Sequence, residues 1–188
     1  DGDDEKNASR TWSRVSGPDN FPDYADPTDP KTTMDVKYFG EYEFNFIETN
    51  GTTCSDFDEV TVGFYEQPIA DAGSDKEVCN AKSTTLDGTA YTYLGDNHID
   101  FGNIQWEYVS GPDAAPVFGT PNSASTNVTV TLFGEYEFRI LETNGTCSDA
   151  DTITVTFYQQ PTAEAGPALE ICDNKTIELQ GTAFSYDG

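Results

Sequence analysis

The sequence predicts an all-β protein built of antiparallel β-sandwich domains in tandem, and three observations carry that expectation. The stretch FGEYEFRILETNGTCSD at Phe133–Asp149 recurs almost letter for letter as FGEYEFNFIETNGTTCSD at Phe39–Asp56. Each copy alternates with period two: Tyr136, Phe138 and Ile140 take one side and Glu135, Glu137 and Arg139 the other, the pattern of a half-buried strand. An Asn-Gly pair follows at 50–51 and at 144–145, after which the alternation resumes as Val60, Val62, Phe64 and as Ile153, Val155, Phe157. Asn-Gly tolerates the positive φ of a tight turn, so each copy reads as a β-hairpin.

The match extends beyond the hairpin. Trp12 recurs as Trp106, Ser16-Gly17-Pro18 as Ser110-Gly111-Pro112 and Glu48 as Glu142, all at an offset of 94. Past the additional Thr53 the offset is 93, pairing Cys54 with Cys147, Pro68 with Pro161, Cys79 with Cys172 and Leu86 with Leu179. A period this long is a whole small domain rather than one unit of a solenoid. Residues 67–160 therefore read as a complete repeat, 1–66 as the C-terminal part of one before it and 161–188 as the N-terminal strands of the next. The outer pieces are expected to leave apolar faces and strand edges uncovered. Two arrangements satisfy that need: a stretch of a longer covalent array, or subunits that complement one another end to end in a fibre.

In chain order, the polar, acidic residues 1–9 read as a loop, followed by a strand around Trp12. In the second copy Ile104, Trp106 and Tyr108 share one face, which makes Trp106 a core residue; in the first, Arg10 and Arg14 flank Trp12 and leave its buried side undetermined. The Pro- and Asp-rich stretches 19–33 and 113–127 are surface loops, and Phe21, Tyr24 and Phe118 are the places where the copies would differ in what they touch. A short strand carries Met34, Val36 and Tyr38, matched by Val128, Val130 and Leu132. Tyr136, two residues after Gly134, suits a tyrosine corner, in which the phenol reaches back to a backbone carbonyl. The run Glu66–Gly73 is the junction, stiffened by Pro68 as Pro161 stiffens the next, and strands around Glu77–Cys79 and Thr84–Ala90 open the following domain. About seven short strands per repeat make a sandwich.

Composition narrows the function. The net charge is −25, from 9 basic and 34 acidic residues, which argues against nucleic acid and against anionic membrane surfaces as partners. It favours solubility and repulsion between neighbouring fibres, although the water-facing sides of strands carry Glu, Asp and Thr in any case. Apolar residues make up 36%, with 10 Tyr and 12 Phe, enough for a compact β core. No stretch resembles a signal peptide or a membrane span. A single Met, abundant Thr and a cysteine at fixed places in each repeat point to an oxidising, extracellular setting.

Ala70-Asp71-Ala72-Gly73, Leu86-Asp87-Gly88, the run WEYVSGP at Trp106–Pro112 and Gly134–Phe138, in this order, resemble tandem PKD-like, immunoglobulin-like repeats. The repeat type, over essentially the whole chain, is similar to that of giant cell-surface adhesins of gliding bacteria. That resemblance implies an immunoglobulin-like (PKD-like) sandwich in a long extracellular filament exported by a dedicated route, with no active site to carry over. The function it implies is a stiff spacer or stalk in surface adhesion and gliding motility, with neighbouring repeats as partners and surface polysaccharide met by other regions. A self-assembling filament subunit and a carbohydrate-binding module of a surface enzyme are the alternatives.

The chemistry of the side chains agrees with a non-catalytic protein. The one histidine, His98, lies in an acidic loop and is matched by Asp4, so a triad lacks a base; no carboxylate pair stands out from the rest. Sugar binding would require an exposed row of aromatics, whereas these alternate inward. Calcium is the one cofactor to weigh, because hard oxygen ligands gather at the expected domain ends: Asp71 and Asp75, then Asp87, Asp96, Asn97 and Asp100, then Asp149 and Asp151. Solvated acidic loops account for the same letters.

Cys54, Cys79, Cys147 and Cys172 lack the C-x-x-C spacing of a metal site, so disulfides are the expectation. In an immunoglobulin-like topology Cys79, after the first strand, and Cys147, at the last hairpin turn, occupy opposite poles. A strand of about ten residues spans roughly 33 Å, against the ~7 Å between Cα atoms that a disulfide bridges. Cys79 is accordingly expected to pair with the hairpin cysteine of the following repeat, and Cys147 with the early cysteine of the preceding one; Cys54 with Cys79 is the alternative. Asn50, Asn127, Asn144 and Asn174 fit the N-glycosylation pattern, which arises readily in Thr-rich sequence. Thr152 lies in Asp151-Thr152-Ile153, which resembles the O-glycosylation motif of the same bacterial group.

Overall fold

The computed structural model describes residues 8–20, 22–91 and 103–186. The strands are β1 (Ala8–Ser16), β2 (Asp23–Tyr24), β3 (Met34–Asp35), β4 (Gly40–Asn50), β5 (Cys54–Phe64), β6 (Lys76–Cys79), β7 (Ser83–Asp87), β8 (Asn103–Ser110), β9 (Val117–Phe118), β10 (Ser125–Thr129), β11 (Gly134–Asn144) and β12 (Cys147–Tyr158). The chain divides into two compact units. The first holds residues 1–69, 90–103 and 142–149; the second holds 70–89, 104–141 and 150–188.

Strands β6 to β12 form two sheets, ordered β6-β12-β11-β8 and β7-β10-β9. The fold is an immunoglobulin-like β-sandwich. Its core joins Trp106 of β8, Phe138 and Ile140 of β11 and Val155 and Phe157 of β12 to Leu86 of β7 and Val128 of β10. The inward sets read from the alternation, Tyr136/Phe138/Ile140 and Ile153/Val155/Phe157, are all buried. Leu132 departs from its expected face and is exposed. One pairing is parallel rather than antiparallel: β6 runs alongside the end of β12, with Lys76 opposite Val155 and Cys79 opposite Tyr158. Asn80 and Asp173, each following an early cysteine, take positive φ of 56° and 60° and turn the chain away at equivalent points.

Both tyrosine corners form. Tyr136 Oη donates to Leu132 O at 3.0 Å and Tyr42 Oη to Tyr38 O at 2.8 Å. Burial raises both phenols above their ordinary pKa. Tyr136→Phe removes a buried hydrogen bond while keeping the ring, so it is expected to lower stability by about 1 kcal/mol, read from a urea melt. The turns differ from the simplest Asn-Gly form, because positive φ falls on Gly51 (72°) and Gly145 (57°) while Asn50 and Asn144 end their strands. Thr53 enlarges the first turn, since Asn50 pairs with Cys54 across it.

In the first unit β1, β4 and β5 form one sheet, with β5 at its edge among the described residues, and β2 pairs with β3. Residues 8–9, expected in a loop, already belong to β1. Trp12 packs on Phe46, ring centroids 4.8 Å apart, and lines an opening of about 190 Å³ together with Tyr24, Met34, Phe44, Val62 and Phe64. Their counterparts in the second unit are Trp106, Phe118, Val128, Phe138, Val155 and Phe157, core residues or residues packed on the core, roofed there by Leu86 and Ala72. The opening is therefore the space that β7 and the residues before β6 fill in the complete sandwich.

Residues 161–186 carry the same segment without a partner sheet. The bridge Glu164–Thr182 reproduces Asp71–Thr89, yet Leu179 is 81% exposed where its counterpart Leu86 is 0%.

Candidate functional site

Among the described residues, the most elaborate polar cluster lies at the tip of the β11–β12 hairpin, within the first unit. Asn144 ends β11 fully buried, and its Nδ2 donates to Glu66 O at 2.9 Å. Gln67 Nε2 donates to Ser148 O at 2.7 Å, and Cys147 Sγ lies 3.7 Å from Tyr65 O as its hydrogen-bond donor. Glu142, 2% exposed, accepts the Tyr91 backbone N–H at 3.1 and 3.2 Å, while Tyr91 Oη donates to Glu66 Oε1 at 2.9 Å. That hydrogen bond to Glu66, with burial second, holds the Tyr91 phenol above its ordinary pKa. The Tyr65 ring lies over Gly145, where a Cβ would fall 2.5 Å from it. The hairpin tip is thus a seat for the residues that follow β5.

The same letters in the first hairpin make no such seat. Asn50 is exposed, Glu48 has a side chain 61% exposed, and nothing lies within 4 Å of a Cβ built on Gly51. Sequence reading singled out neither Glu142 nor Tyr65. The available signal was their recurrence, Glu48 with Glu142 and Tyr65 with Tyr158, together with the phase of Glu142, a charged residue that continues the inward stripe of Tyr136, Phe138 and Ile140.

The acidic residues weighed for calcium are dispersed over different partners. Asp71 Oδ1 accepts Gly73 N–H at 2.9 Å, Asp75 Oδ1 accepts Thr154 N–H at 2.8 Å and Asp151 Oδ2 accepts Ala72 N–H at 2.9 Å. Asp87 binds Lys76 Nζ at 2.8 Å and Ser125 Oγ at 3.0 Å, and the Lys76 hydrogen bond, followed by that from Ser125, lowers its pKa. Among the described residues no three His, Cys, Asp or Glu side chains converge as a metal would require. Asp96, Asn97, Asp100 and His98, like Phe21, lie outside the described residues.

All four cysteines are free thiols: Cys54, Cys79 and Cys172 are exposed, and Cys147 is half-buried. Cys79 pairs with Tyr158 at the far end of β12 from Cys147, as the opposite-pole expectation requires. Of the glycosylation candidates, Asn50, Asn127, Asn174 and Thr152 are exposed. Asn144 corrects the pattern: its amide is buried and already donates to Glu66 O, which leaves no room for a glycan in this fold.

Asp113 was not singled out by sequence, yet its Oδ2 accepts both the Thr131 N–H at 2.6 Å and the Thr131 hydroxyl at 2.8 Å. The backbone hydrogen bond first, then the hydroxyl, hold its carboxyl below the ordinary value of 3.8. A carboxylate whose folded pKa is lowered stabilises the fold fully above its unfolded pKa, and that contribution disappears as pH falls through the lowered value. Asp113→Ala is therefore expected to melt below wild type at pH 7, with the difference shrinking below about pH 4; melting curves across that range check it.

Residues 72–157, just under half of the chain, match the family model described as K319L-like, PKD domain, and this stretch is a PKD-like domain. No curated protein matches the chain. The PKD domain from KIAA 1837 protein is 28% identical, covering 54% of this chain and 92% of its own at a TM-score of 0.40. The PKD domain of human KIAA0319 is 15% identical, with 56% and 90% covered at a TM-score of 0.41. Extracellular domains 3–5 of Drosophila OTK are 11% identical over 80% of this chain at a TM-score of 0.52, a likeness of fold; the match spans 52% of that chain. Among the described residues no helix is long and apolar enough to cross a membrane.

Proposed function

We propose that this chain is a structural repeat of a long extracellular filamentous adhesin, acting as a stiff spacer or stalk in surface adhesion and gliding motility, without catalytic activity. The observation that carries this reading is the seat at the hairpin tip, which spends a buried carboxylate, a buried amide and a glycine on holding the residues that follow β5. A lone sandwich has no use for these groups there. The acidic surface keeps neighbouring filaments apart, and the repeated hairpin supplies identical joints along the chain. Gold-labelled antibody raised against residues 67–160 and applied to intact cells tests it: label along surface filaments is expected, and label confined to the cytoplasm of permeabilised cells contradicts it.

A second reading, subunits that exchange strands, draws support from the opening lined by Trp12, Phe44 and Phe64 and from the exposure of Leu179. The segment that roofs the complete sandwich recurs uncovered, and a second copy of this chain presents it in the right sequence to fill the opening. Both readings share one element, early strands of one repeat completing the sheet of another.

A further inference from the structure

We propose that Cys147 and the β5 edge at Tyr65 form the receiving half of a disulfide joint between repeats, whose donating half is an early cysteine, of the Cys79 or Cys172 kind, in another copy. The inference rests on the tandem reading above and comes from superposing the repeat on itself. Tyr65 and Tyr158 are one residue of successive copies, 93 apart. Beside Tyr158 runs β6, parallel, with Cys79 directly opposite and the Asn80 N–H donating to Tyr158 O at 2.8 Å. Beside Tyr65 lies the thiol of Cys147, 3.7 Å from Tyr65 O.

A β6-type strand added to β5 in the same register therefore brings its cysteine opposite Tyr65, one strand spacing of about 4.8 Å away. Cys147 already reaches that tyrosine from the hairpin tip. Two cysteines held against one backbone position need only a small adjustment to close to the ~4.4–6.8 Å between Cα atoms that a disulfide needs. The strand ends at the cysteine, since Asn80 and Asp173 turn the chain away with left-handed φ, so the side chain is presented at a terminus. The bond forms by exchange with a low-molecular-weight disulfide. One cysteine thiolate attacks it and releases a thiol, and the second thiolate then displaces the other half, so two protein thiols are oxidised to one S–S bond as the reagent is reduced to two thiols.

The test uses the full chain and a synthetic peptide of residues 70–89, which carries Cys79 and Leu86, in a glutathione redox buffer, with mapping of the mixed disulfides by mass spectrometry. A peptide with Leu86→Asp, unable to fill the apolar opening, is the control. The peptide is expected to link to Cys147 about tenfold or more over Cys54, because docking raises the local thiol concentration, even though Cys54 is exposed and Cys147 half-buried. The control peptide is expected to lose that preference. Linkage that follows exposure, with Cys54, Cys79 and Cys172 ahead of Cys147, overturns the proposal. Trp12 fluorescence separates the two levels of the argument. A peptide that shifts the emission yet links elsewhere removes the disulfide and leaves strand exchange standing, whereas a peptide with neither effect removes both.

Discussion

Replacing Trp106 with alanine is expected to lower the stability of the second unit by about 3–5 kcal/mol, the largest effect of any single substitution in the chain. The indole is 2% exposed, its Nε1–H donates to Ala124 O at 3.1 Å, and it packs among Leu86, Ile140 and Ile153 in the core. Truncation removes apolar area, leaves the Ala124 carbonyl with the Gly88 N–H as its remaining donor and opens a cavity that strands on both sheets cannot close. The equivalent change, Trp12→Ala, costs much less. Trp12 is only half-buried, its Nε1 donates to Pro30 O at 3.4 Å, and it borders an opening that is already present. Urea denaturation followed by hydrogen exchange of the β11 and β12 amides reads the first effect, and exchange of the β4 amides reads the second. Equal losses in both would refute the correspondence between the opening and the filled core.

Gly145→Val is expected to be the second-largest change, and a local one. A Cβ at this position would fall 2.5 Å from the Tyr65 ring, and φ is 57°, where a β-branched residue is strained. The ring must leave the hairpin tip, taking with it the hydrogen bonds that tie Glu66 and Gln67 to Asn144 and Ser148. Overpacking and strain together are expected to cost about 2–4 kcal/mol. Gly51→Val provides the reference, because Gly51 also has positive φ, 72°, but nothing stands within 4 Å of its Cβ. The difference between the two isolates the seat from the turn. Chymotrypsin cleavage after Tyr65 should accelerate in Gly145→Val and remain unchanged in Gly51→Val.

Much of the fold was legible because a strand with one wet face writes its period directly into the sequence. Tyr136, Phe138 and Ile140 were assigned inward by alternation alone and are buried, and Gly134 before Tyr136 located the tyrosine corner. The parallel pairing of β6 with β12 was not legible, because four residues ending in Val78 and Cys79 carry no mark of which neighbour they join or in which direction. The hairpin seat was hidden for a different reason. Its letters, Glu-Thr-Asn-Gly-Thr, are identical in both copies, yet Glu142 and Asn144 are buried while Glu48 and Asn50 face water. Burial there depends on what the rest of the chain lays over the tip, a long-range fact that the local sequence does not encode. Val60 and Ile153 differ in the same way: one position of the repeat is exposed in the first unit and buried in the second, where β7 is present.

The spacer reading requires that the seat hold under thermal motion. Nitrogen-15 relaxation of the backbone amides of Tyr65–Gln67 and Asn144–Ser148 in the full chain measures this most directly. Order parameters as high as those of β4 and β5, lowered on Gly145→Val, are the predicted result. Low order parameters at Tyr65–Gln67 in the unmodified chain would contradict it.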